Sequence, residues 1–139
     1  MNSKTFWITS FTWGIIMTLV GLIISIGLLV SGHKPKKYHC LIYFEVGRGW
    51  GGFNCGPFFF VNQNPSRHVL EHESGHGVQN TKYGLLTPFI VAIPSVIRYH
   101  YREYLVKHKG VKRGSLPKYD SIWFEKEATE LGRQYFPYK

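Results

Sequence analysis

"HVLEHESGHGVQN", His68 to Asn80, decides how this chain is read. It holds His72, Glu73 and His76 in the spacing His-Glu-x-x-His. On a helix, His72 and His76 stand one turn apart and face the same way. Both imidazoles can then offer a nitrogen to one Zn²⁺ ion at about 2.0–2.1 Å. Glu73 would lie beside the metal, where a carboxylate can take a proton from water. The competing reading is a polar helix face of solvated imidazoles. The chain has seven His and seven Glu, and such a composition yields the three fixed residues by accident roughly 2% of the time. Gly75 and Gly77 argue for more than accident. Each costs a helix about 1 kcal/mol relative to Ala, which implies that something approaches this helix closely.

The flanks of the motif frame a helix. "NQNPS" breaks the chain, Ser66 is a suitable N-cap, and the helix should run to about Lys82 with Gly84 as its stop. A zinc site needs a third protein ligand. The long metzincin form wants Gly at position 79 and His at position 82; Gln79 and Lys82 exclude it. His68 lies one turn before His72, but three histidines along a straight helix reach along the axis rather than around a point, so His68 stays outside the ligand set. The final segment, "SIWFEKEATELGRQYF", has helical spacing. There Glu125 shares a face with Ala128 and Gly132, a face small enough to pack closely. Glu127 has Trp123 and Leu131 beside it and sits at a core border. Glu125 is taken as the third ligand and Glu127 as the runner-up. Asp120 has two readings: a carboxylate that orients a ligand histidine, or the N-cap of the last helix. His100, Tyr101 and Tyr119 are all available as oxyanion donors, with nothing to choose between them.

Upstream, "YHCLIYFEVGRGWGGFNCGPFFFVNQ", Tyr38 to Gln63, reads as a β-hairpin with a glycine-rich tip at Gly47–Gly52. Cys40, Ile42, Phe44 and Val46 should share one face. Gly56 and Pro57 inside the second arm suggest an edge strand or a bulge. Cys40 and Cys55 would not be opposite one another, so two free thiols are expected, as in a reducing compartment. The glycines form no phosphate-binding pattern. Downstream, "LLTPFIVAIPSVI", Leu85 to Ile97, is too short for a second span and is interrupted by Pro88 and Pro94. A buried or membrane-dipping segment is expected there.

The first quarter is different. From Phe6 to Val30 the chain carries no charge. As one helix it would be about 37 Å long, enough to span a hydrocarbon core of about 30 Å. Trp7 and Trp13 lie toward one end. The apolar stretch is too long, and its start too weakly basic, for a cleaved signal peptide. Residues 1–37 are therefore expected to form a membrane anchor, with one helix standing apart from a folded domain over residues 38–139. Lys34, Lys36 and Lys37 follow the span while only Lys4 precedes it, which predicts a single-pass protein with its domain on the cytoplasmic side of the cell membrane. The chain has 17 Lys and Arg against 8 acids, net +9. Beside an anchor, that excess suits anionic lipid. No nucleic-acid-binding signature is present.

The helix with His72, Glu73 and His76, followed some 50 residues later by Glu125-x-x-Ala128, resembles the gluzincin-type metallopeptidases, among them the membrane prenyl-protease and heat-shock protease group. That group continues Glu-x-x-Ala-Asp, and this chain has Thr129 in place of the Asp. The ordered set "GPFFFV", "HESGHGVQN", "LLTPFIVAIPSVIRYHYRE" and "YDSIWFEKEAT" is more closely similar to a family of small bacterial membrane proteins of unassigned function. The resemblance implies a catalytic helix beside an edge strand, with "FNCGPFFFV" the candidate edge and a peptide substrate adding to it.

The expectation is an α+β fold in which an N-terminal transmembrane helix precedes a zincin-like domain. His72, His76 and Glu125 bind Zn²⁺, and Glu73 is the general base of peptide-bond hydrolysis. The alternatives are a zincin-shaped membrane scaffold without catalysis and a basic membrane-surface protein.

Overall fold

The computed structural model describes the whole chain, Met1 to Lys139. Its centre is a four-stranded mixed sheet. β1 (Lys36–Tyr38), β2 (Leu41–Glu45), β3 (Gly52–Cys55) and β4 (Phe58–Val61) lie in the order β1-β2-β4-β3. The expected single hairpin is corrected here. Its two arms, β2 and β4, pair in parallel, with Ile42 opposite Phe58. β3 folds back on β4 as an antiparallel neighbour and forms the outer edge. Gly56 and Pro57 are the turn of that second hairpin rather than an interruption in a strand. Gly56 takes φ +69°, and Asn54 Oδ1 accepts its N–H at 2.8 Å, the tight reversal that Gly makes at least cost.

Both faces of the sheet are covered. Leu41, Phe59 and Val61 pack with Leu70, Val78 and Phe136 on one side. Phe44, Phe58, Phe60 and Cys55 pack with Met17 on the other. This double burial explains why "LIYFE" and "FFFV" show no clean polar–apolar alternation. Ile42, Phe44 and Val46 do share a face, while Cys40 packs against the opposite cluster. Cys40 and Cys55 are both free thiols.

Helix α3 (Arg67–Tyr83) begins at Ser66, whose hydroxyl accepts the Val69 N–H, and ends at Gly84 with φ +58°. A 3₁₀ turn (Gly84–Leu86) and a π-helical turn (Pro88–Ala92) lead into α4 (Ile93–His108). Helix α5 (Trp123–Tyr135) crosses α3. Two glycines make that crossing possible. A Cβ on Gly75 would lie 1.7 Å from Ala128 O, and one on Gly132 would lie 1.8 Å from Glu71 O. Gly77 serves the other side, where a Cβ would come 2.9 Å from Gly56 O. The glycines that weaken α3 as an isolated helix let it sit between a sheet and a second helix.

The N-terminal segment is a second correction. Phe6–Val30 is not one helix standing apart. It forms α1 (Ser3–Phe11) and α2 (Ile15–Val30), bent by 95°, and no single helix is long and apolar enough to cross a membrane. Polar groups hold the bend. Thr18 Oγ1 donates to Ser10 O at 2.7 Å, and Asn80 Nδ2 of α3 donates to Gly14 O at 3.2 Å. These contacts satisfy carbonyls that the break releases. Phe6 is fully buried in the α3-side cluster. Gly21 lies so near the β3–β4 turn that a Cβ would meet Cys55 O at 2.6 Å. The outward faces stay apolar and exposed: Ile23 is 70% and Val30 84% accessible. Leu85–Ile97 is buried only at Thr87 and Val91, while Phe89 is 67% and Ile97 63% accessible.

Candidate metal centre

α3 and α5 bring His72, His76 and Glu125 together as a buried group whose ligand atoms lie within 4.8 Å of one another, a spacing that admits a metal ion. Glu125 Oε2 is 2.9 Å from His72 Nε2 and 3.1 Å from His76 Nε2, and the two ring nitrogens are 3.2 Å apart. Ligands of a tetrahedral ion at about 2.0–2.1 Å stand about 3.3–3.4 Å apart, so the three atoms are already near that triangle. Glu127 is elsewhere: it accepts from Gln79, Lys82 and Tyr83. His68 is half-exposed and takes no part in the triangle.

The other polar atom of each ligand side chain is held. Gln79 Nε2 donates to Phe124 O at 2.8 Å and to Glu127 Oε1 at 3.1 Å, so the amide oxygen is free to accept. His76 Nδ1, 2.7 Å from that oxygen, therefore carries the proton. Thr129 Oγ1 lies 2.9 Å from His72 Nδ1 and donates to Asp120 Oδ2 at 3.5 Å, which gives His72 the same tautomer. Ser95 donates to Glu125 Oε1. In neutral rings so oriented, both Nε2 lone pairs point at each other and at a carboxylate oxygen. Three electron-rich atoms converge there, an arrangement that a proton on His76 or a metal ion can satisfy. Thr129 thus holds the outer nitrogen of the His72 ring, backed by Asp120. Asp120 is not the N-cap of α5; that position is Ile122 and has no side-chain cap.

The electrostatics agree. Burial holds the His72 ring below its ordinary value. At His76 burial acts the same way, but the Glu125 hydrogen bond and the Glu73 charge outweigh it and raise the ring. Burial also opposes charge on Glu125, yet its bonds from His72, His76 and Ser95 hold the carboxyl well below its usual range. Glu125 therefore keeps its negative charge beside the two rings.

Glu73 belongs to the site without joining the triangle. It is only 5% exposed, and its Oε2 has no hydrogen-bond partner. Burial, the largest cause, pushes its carboxyl up to about 7. Gly52 of β3 leaves the space it occupies, since a Cβ there would lie 2.7 Å from Glu73 Oε1. Asn54 Nδ2 ties β3 to this turn of α3 by donating to Glu73 O at 2.8 Å. The cavity of about 40 Å³ beside these residues is lined by His72, Glu73 and His76, and by Met17, Phe53 and Ala92 on its apolar side. It has room for an ion and about one water.

Of the three oxyanion candidates, Tyr119 lines this cavity. Burial, then Glu125, push its phenol up to about 12, so it keeps its proton. His100 lines an outer cleft, and Tyr101 is 60% exposed. Sequence reasoning missed Gln79, Ser95 and Asn54. Only Gln79 carried a signal, one turn after His76 on the same face.

Comparison with known proteins returns no relative: no family model, no curated protein and no solved structure matches the chain.

Proposed function

We propose that this chain is a membrane-associated zinc metallopeptidase-like protein that hydrolyses peptide bonds, of the gluzincin type its motifs resemble. One observation carries the reading: two ring nitrogens and a carboxylate oxygen converge, with a buried, unpartnered glutamate beside them. The donor set of two imidazoles and one carboxylate is that of catalytic zinc sites, which keep a further position open. A zinc ion held by His72, His76 and Glu125 would supply Lewis acidity and lower the pKa of a water molecule toward neutral. Glu73, poised near 7, takes the proton of the attacking water and passes it to the leaving amine. Tyr119, which lines the cavity, would donate to the developing oxyanion.

The sheet edge supports a peptide as substrate. Gly51 O accepts from Asn62 N at 3.0 Å. Antiparallel alternation then turns the N–H and C=O of Gly52 and Asn54 away from β4, toward the cavity. An extended peptide can pair with them as an added strand. Membrane association rests on exposed apolar residues outside the sheet and helix core, Ile23, Ile26 and Val30 of α2 with Leu86 and Phe89.

The non-catalytic scaffold is favoured by one observation, the enclosure of the site: His72, His76 and Glu125 are each less than a tenth exposed. A structural site has no use for Glu73. Zinc-loaded wild type and Glu73→Gln, incubated with a mixed peptide pool and read by mass spectrometry, separate the two. The peptidase cleaves and the variant does not, with equal zinc in both. Identical product profiles from the two proteins would refute the catalytic reading.

A further inference from the structure

The cavity at the metal triangle does not end at its apolar wall. Met17, Phe53 and Ala92 form that wall. The same three residues also line a groove of about 290 Å³ between α2 and α4, where every lining side chain is apolar, Val20, Ile93 and Val96 among them. Phe53 stands where the two spaces meet. It sits on β3 between Gly52 and Asn54, and strand pleating sends its side chain to the sheet face opposite α3.

We propose that this groove is a subsite for one large aliphatic or aromatic side chain of the substrate, and that Phe53 and Val96 determine its specificity. The inference rests on the peptidase reading and deepens it. A peptide paired with β3 alternates as β3 does. Residues that hydrogen-bond to Gly52 and Asn54 turn their side chains toward α3. The residue opposite Phe53 turns its side chain the other way, into the groove, because neighbours across a pleated pair point to the same face. The substrate residue beside the metal is therefore read by an apolar wall with no polar partner. A polar side chain there would lose its water and gain no hydrogen bond. A leucine or phenylalanine buries apolar surface that alanine lacks, a preference of about ten- to thirty-fold.

α4 makes room for such a side chain. It has no buried residue of its own. It is tied down on the side away from the groove, where Arg98 and Arg102 donate to the carbonyls of Pro117, Lys118 and Tyr119. The groove side carries only apolar contacts, so a bound side chain can replace them without breaking a hydrogen bond.

Peptide hydroxamates with Ala, Leu or Phe beside the metal-binding group, titrated calorimetrically into the full-length zinc-loaded protein in nanodiscs, test the subsite without requiring turnover. The Leu and Phe compounds should bind at least about tenfold more tightly than the Ala compound. Val96→Lys, at a position 40% exposed and outside the metal triangle, should shrink that preference to within about twofold. Wild type and variant should hold equal zinc and give the same circular-dichroism spectrum, which checks that the variant is folded. Equal binding of Ala, Leu and Phe compounds to wild type overturns the subsite and leaves the peptidase reading standing. A preference that survives Val96→Lys overturns its placement in this groove. If none of the compounds binds protein shown to carry zinc, the peptidase reading fails and the subsite fails with it.

Discussion

Replacing Gly132 by Ala changes one methyl group and attacks the whole site. A Cβ there would lie 1.8 Å from Glu71 O and 2.6 Å from Glu71 C. Both atoms are backbone of α3, so no side chain can swing aside. Reaching an ordinary contact of about 3.3 Å requires α5 to withdraw by about 1.5 Å at the crossing. Ala gains about 1 kcal/mol of helix propensity over Gly, while overpacking costs about 1–3 kcal/mol and more when backbone must move. The expected net effect on stability is a loss of about 1–2 kcal/mol. The effect on metal binding is larger. Glu125 is on α5 and the histidines on α3, at 2.9 and 3.1 Å, whereas metal ligation tolerates only about 0.2 Å of misplacement. Zinc affinity should fall at least about a hundredfold, the upper end of what lost support around a site costs. Competition with a chromophoric chelator measures affinity, and denaturant titration of the metal-free protein measures stability. Gly27→Ala is the control, because nothing lies within 4 Å of a Cβ at that position; it should bind zinc as wild type does. A Gly132→Ala protein with wild-type zinc affinity would refute the claim that this close crossing builds the site.

Three further outcomes follow from the same geometry. In metal-free protein, Glu73 has its carboxyl raised by burial to about 7, so its neutral form is the one that suits the fold. Wild type should lose on the order of 3 kcal/mol relative to Glu73→Gln as pH rises from below about 4.5 through 7, read by denaturant midpoints across that range; parallel pH profiles would show that Glu73 is not buried as described. Thr129→Val and Gln79→Leu should each weaken zinc binding about 10–100-fold, with Thr129→Ser restoring it; a calorimetric affinity unchanged in both would remove the ring contacts from the account. Ile23→Lys with Phe89→Lys, at positions 70% and 67% exposed, should abolish flotation with liposomes while leaving zinc content intact; undiminished flotation would place the membrane contact elsewhere.

The site was more legible in the sequence than the fold around it. Ser66 and Gly84 bounded α3 because caps act locally, and the small face of Ala128 and Gly132 pointed to Glu125. The N-terminal segment misled because its apolar content was read without its period. Gly14, Thr18, Gly21 and Ser25 recur at helical spacing, and all four sit buried or pressed against Asn80 and Cys55. That stripe of small and polar residues marks a packed face, and a count of missing charges does not see it. The hairpin misled for another reason. β3 has four residues, too few for a pattern, so Gly56-Pro57 read as a blemish in one arm rather than a turn between two. Ser95 reaches Glu125 from a distant part of the chain, and a lone hydroxyl residue carries no local mark of such a role.

Metal content is the most direct test. Full-length protein, purified, stripped with a chelator and dialysed against micromolar zinc, should retain one zinc per chain. X-ray absorption should report nitrogen and oxygen neighbours at about 2.0–2.2 Å and no sulfur, and His72→Ala, His76→Ala and Glu125→Ala should each lose the metal. A protein that retains no zinc, or holds it through Cys40 or Cys55 with those three variants still loaded, would contradict the account at its centre.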